Sequence, residues 1–76
     1  MGKLVKPLSK QELNVPGTVA FLRGSDKDLK SLKDLGLRTG SRITVLHRGE
    51  GDSLLVAIGD TRIGINFELA KNILVN

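Results

Sequence analysis

The stretch Leu32-Lys33-Asp34-Leu35-Gly36-Leu37-Arg38-Thr39-Gly40 limits the possible folds of this chain more than any other. A charged, leucine-spaced segment breaks at Gly36, and Gly40 then precedes the β-branched run Arg42-Ile43-Thr44-Val45. Upstream, Ser25 stands three residues before Asp28, the spacing of a capping box. Asp26 and Asp28 suit the positive end of a helix dipole. Leu29, Leu32 and Leu35 recur every third residue and line one side, with Lys27, Ser31 and Asp34 opposite them. Asp26 and Lys30, four apart with the acid first, add a weak pair. The spacing predicts a helix from about Asp26 to Leu35, stopped by Gly36 in the left-handed conformation. Leu37 then turns back over the apolar side and Gly40 reverses the chain, so the joint is structural.

The rest of the chain reads as strands. Asn14-Val15-Pro16-Gly17 is turn chemistry, in which Pro fixes φ and Gly17 supplies a conformation that other residues avoid. Thr18 to Arg23 has strand composition without clean alternation, which suggests burial on both faces. Arg42 to Arg48 alternates, except at Leu46, and puts His47 in the apolar register. Leu54 to Ile58 is a strand, Gly59-Asp60 a tight hairpin turn, and Thr61 to Asn66 its partner. Gly64 inside that strand points to a bulge or a close backbone approach. Ser9 with Glu12 suggests a capping box on a short turn after Pro7, Asn66 caps one turn at Phe67 to Lys71, and Ile73 to Val75 closes the chain as a strand.

The sum is a mainly β chain, residues 1–76 as one domain: a small SH3-like barrel of about five strands, one inserted helix, and a short helical turn near each end. Closure leaves few free edges. A ferredoxin-like domain would need a second full helix.

Composition bounds the function. With one histidine and no cysteine or tyrosine, the chain offers neither a catalytic constellation nor a thiolate metal site. Ser9 and Ser25 read as caps, not nucleophiles. We expect no enzyme and no cofactor. The one metal arrangement to weigh is a weak, exposed set at His47, Glu50 and Asp52, on and beside a glycine loop. No apolar run approaches the roughly 20 residues that span a bilayer, and the N-terminus lacks a signal-peptide core, so the expectation is a cytoplasmic chain.

Net charge is +4 without a dense run of one sign. Two phenylalanines are too few for base stacking or a polyproline groove. A nucleic-acid-binding small barrel stays open only as backbone contact through Arg38, Arg42, Arg48 and the N-terminal lysines. Protein contact is the stronger reading. Adjacent apolar residues in one strand face opposite sides, so Leu54/Leu55 and Ala20/Phe21/Leu22 must leave some apolar side chain outside. Leu22, Leu55 and Leu74, with Arg42 and Arg48, are the candidate docking residues. The edge of Ile73 to Val75 is a candidate for backbone pairing, and self-association is a second option.

The ordered set of residues also carries a resemblance. A Pro-Gly turn precedes the first strand. Leu-x-x-Leu-Gly-Leu-x-x-Gly and an Ile-x-Val strand follow, then a Gly-Asp loop, a hairpin with Arg62, and a closing Ala-x-x-Ile-x-Val. This pattern, from about Leu8 to Val75, resembles the FeoA family of bacterial ferrous iron uptake. Matching positions are Gly17, Leu32, Leu35, Gly36, Leu37, Gly40, Ile43, Val45, Arg62, Ala70, Ile73 and Val75. Thr39 and Ser53 depart from it, each where the family often has proline. The resemblance implies an SH3-like barrel and a non-enzymatic accessory role in ferrous iron uptake. The partner it implies is a FeoB-type membrane transporter with a cytoplasmic GTPase domain, met at the inner face of the membrane. A similar barrel occurs as the C-terminal domain of some metal-dependent regulators, so a stand-alone regulator-type domain is the alternative.

Overall fold

The computed structural model describes residues 5–49, 51 and 53–76. Strand β2 (Gly17–Leu22) organises the rest, because its two halves serve different neighbours. Gly17 and Thr18 pair with β3 (Arg42–Arg48), whereas Val19 to Leu22 pair with β6 (Ile73–Val75). With β1 (Lys6–Pro7), β4 (Ser53–Ile58) and β5 (Thr61–Asn66), six described strands follow the antiparallel order β1-β6-β2-β3-β4-β5. Five are those expected from sequence. The sixth, β1, pairs Lys6 with Val75 and Pro7 with Leu74, so β6 is covered on both edges and is not the free edge anticipated for it.

Helix α1 (Asp26–Asp34) begins with the expected capping box: Asp28 N–H donates to Ser25 Oγ (3.1 Å) and Ser25 N–H to Asp28 Oδ2 (3.2 Å). It ends one residue earlier than the spacing suggested. Leu37 N–H donates to Leu32 O (3.1 Å) and Gly36 N–H to Lys33 O (2.9 Å), with Gly36 at φ +91°. This is a Schellman stop, and its usual apolar clasp is Leu32 with Leu37, 0% and 1% exposed. The i,i+4 ion pair falls at Lys30–Asp34 (3.7 Å), not at Asp26–Lys30; both side chains are well exposed.

Two bulges correct the face assignments. One lies between Val19 and Phe21, the other between Val45 and His47. The extra residue Leu46 turns His47 from the apolar register to the exposed face, opposite Leu55. Gly64, by contrast, sits in an unbroken register against Leu55, and a Cβ there would meet nothing within 4 Å, so it marks neither a bulge nor a close approach. Gly17 has an ordinary φ; the positive φ of its turn belongs to Asn14 (+63°), and what Gly17 lacks is room, since an added Cβ would stand 3.3 Å from Gln11 Nε2. The Gly59–Asp60 turn and the Asn66 cap on α2 (Phe67–Ala70) are as expected, Leu69 N–H donating to Asn66 Oδ1 at 2.7 Å.

The N-terminal segment departs most from expectation. Pro7 precedes a 3₁₀ turn over Leu8–Lys10 that has no side-chain cap. Ser9 lies inside this turn, buried, and Glu12 is exposed. The cause is Leu8, 0% exposed in a core shared with Val19, Leu32, Leu37, Val45, Val56 and Ile73. Anchoring Leu8 there fixes the turn from within.

Candidate functional site

Phe21, 48% exposed, is the most exposed large apolar side chain among the described residues. The bulge after Val19 sets its register against Leu74 and turns the ring outward. Beside it Leu22 is half-buried. On α1, Leu29 and Lys33 lie four apart on the same side, flanking Leu32. The Schellman stop brings in Leu37, and the tight turn Arg38-Thr39-Gly40-Ser41 completes the wall. That turn is held by Ser41 N–H to Arg38 O (3.0 Å), Arg38 N–H to Ser41 Oγ (3.3 Å) and Gly40 N–H to Val19 O (2.8 Å).

These residues enclose a groove of about 330 Å³ with an apolar floor of Phe21, Leu22, Leu29 and Leu37. Lys33 and Arg38 form its rim, and among the described residues no carboxylate lines it. The groove continues past Gly36. It is built to take apolar side chains beside negative charge.

A second cleft, about 490 Å³, lies between α1 and α2 and is lined by Asp28, Ser31, Asn66, Glu68, Leu69, Lys71 and Asn72. Apart from Ser31, its polar side chains are already engaged locally. Asp28 completes the capping box and meets Asn72 Nδ2 (3.5 Å), Lys71 pairs with Glu68 (3.3 Å), and Asn66 caps α2. It is larger but chemically self-satisfied.

The docking residues expected from sequence do not gather on one surface. Leu22 lines the groove. Leu55, 39% exposed, lies on the β3–β4–β5 face between His47 and Gly64. Arg42 is exposed opposite Thr18. Leu74 is a correction: it is only 5% exposed, because β1 and β2 flank it. Arg48 is another. Its Nη2 donates to Ser9 O (3.0 Å) and Gln11 O (2.6 Å), so its guanidinium ties down the N-terminal segment. Of the metal candidates, His47 is exposed on β3, and Glu50 and Asp52 lie outside the described residues. Among the described residues no three His, Cys, Asp or Glu side chains group as a metal site, and no helix is long and apolar enough to cross a membrane. Sequence reasoning named Arg38 only as a candidate nucleic-acid contact, not as part of a protein-docking groove, and missed Leu29 and Lys33 as site residues. Their only local signal was a leucine with a lysine four residues on.

Comparison with known proteins places this geometry. The FeoA domain family matches residues 6–76. No curated protein matches the chain. A crystal structure of an iron uptake regulatory protein, FeoA, superposes with a TM-score of 0.88 at 27% identity, over 96% of this chain and 97% of that one. FeoA from Stenotrophomonas maltophilia, crystallised with zinc and described as a prokaryotic SH3-domain protein, gives 0.78 at 27% identity over 92% and 88%. A manganese-dependent transcriptional repressor gives 0.86 at 26% identity, over 93% of this chain but 40% of the repressor.

Proposed function

The chain belongs to the FeoA family, and from that premise we propose that it is a non-enzymatic accessory of ferrous iron uptake that works by docking on a FeoB-type transporter. The S. maltophilia relative is described as a candidate ferrous iron transport activating factor, which supports the same process for this chain. The observation that carries the docking reading is the groove between β2 and α1. Its apolar floor supplies affinity and its cationic rim orients an acidic partner surface.

The test is binding of the full chain to purified transporter, together with ferrous ion uptake by cells that depend on the pair. Phe21→Glu and the double change Lys33→Glu/Arg38→Glu alter exposed side chains, so the fold should stand. Each is expected to weaken binding by roughly tenfold or more, since a central aromatic or a charge reversal at a docking site costs about 1.4 kcal/mol or more. Lys30→Glu, on α1 but not lining the groove, is the control. Wild-type binding and uptake by both groove variants would reject the groove as the docking site.

A further inference from the structure

Strand β5 is the one long sheet edge that the described residues leave unpaired. At the other end of the sheet β1 is two residues long and includes Pro7. The usual guards of an edge are sparse on β5: Thr61–Asn66 has no proline, no break in register and one charged side chain, Arg62. The hairpin register fixes which backbone groups the edge presents. Ile58 and Thr61 flank a two-residue turn, so they exchange hydrogen bonds, as do Val56 with Ile63 and Leu54 with Ile65. Arg62 and Gly64 therefore point their N–H and C=O groups away from β4, and among the described residues these groups have no backbone partner.

We infer that this edge pairs antiparallel with β5 of a second copy of the chain, about a two-fold axis at Ile63. The strand's own order favours that occupant and that register. Outward groups fall on even-numbered residues, so only registers that set even against even join N–H to C=O. A two-fold at Arg62 would put two guanidinium groups directly opposite one another. A two-fold at Gly64 would run Thr61 against Phe67, where α2 has already begun. The two-fold at Ile63 sets Arg62 of each copy against Gly64 of the other, which makes two hydrogen-bonded rungs and leaves room for each guanidinium. It also sets Thr61 against Ile65, still within the strand. The half-buried Ile63 side chains meet at the non-hydrogen-bonded position, where cross-strand neighbours come closest.

Sedimentation equilibrium of the full chain, from micromolar to millimolar concentration, tests this. The wild-type mass should rise from 8.2 kDa toward twice that value. Gly64→Lys puts like charges opposite at both rungs and should weaken association roughly tenfold, whereas Gly64→Glu puts opposite charges there and should strengthen it severalfold. A wild-type monomer at millimolar concentration, or equal effects of Lys and Glu, overturns the inference. An independent check survives misfolding of either variant. The chain has no cysteine, so under mild oxidation Ile63→Cys should give a covalent dimer well ahead of Leu55→Cys. Equal or absent cross-linking counts against the register.

Discussion

Ser9 and Ser25 each stand three residues before an acid, yet only the second pair becomes a capping box. The difference lies downstream. After Asp28 come Leu29, Leu32 and Leu35, an apolar side that a helix can bury. After Glu12 come Leu13, Asn14, Val15 and Pro16, with no helical spacing and with Asn14 at a positive φ. The first segment is instead held from a distance. Leu8 enters the core, Asn14 N–H donates to Val45 O (2.7 Å), and Arg48 grips the carbonyls of Ser9 and Gln11. One region obeys local rules, the other remote ones; a capping motif specifies a helix only where a buried face follows.

Denaturation followed by circular dichroism can break or sharpen this contrast. The largest effects should come from Leu8→Ala and Leu32→Ala, each about 3 kcal/mol, since both side chains are fully buried. A Leu8→Ala cost under about 1 kcal/mol would make the N-terminal segment an ornament and dissolve the comparison. Next, Arg48→Met should cost about 2 kcal/mol through two lost charge-assisted bonds. Arg42→Met, which loses no hydrogen bond of this kind, should stay within about 0.5 kcal/mol. Gly36→Val should then cost about 1–2 kcal/mol, chiefly torsional, because Gly36 sits at a positive φ and nothing lies within 4 Å of an added Cβ. The smallest and most pointed pair is Ser25→Ala at about 1 kcal/mol against Ser9→Ala within about 0.5 kcal/mol. Equal values would mean that the two serines do the same work.

The features legible in sequence are those decided within a few residues. The capping box at Ser25, the stop at Gly36, the Gly59–Asp60 turn and the Asn66 cap each need only their own neighbours. His47, Leu74 and Arg48 needed more. A single bulged residue moves His47 to the other face, and Leu46, which interrupts the alternation, was its only trace. Leu74 is buried by a two-residue strand from the opposite end of the chain. The partner groups of Arg48 lie 37 and 39 residues away. The groove shows the same limit. Its parts come from β2, α1 and the turn at Arg38, so Leu22 could be named from strand logic, whereas the site they form together exists only once those three segments are assembled.

The pairing of Lys6 with Val75 has a consequence for engineering. Antiparallel partners stand about 5 Å apart at their Cα atoms, so the backbone enters and leaves the folded body at almost one point. A short linker can join those points without strain, and the chain can be reopened at the exposed Gly59–Asp60 turn, which belongs to neither the Leu8 segment nor the strand of Arg48. Such a permutant should keep every strand pairing. For the same reason the body can be spliced into a surface loop of a host protein and open only a small gap there.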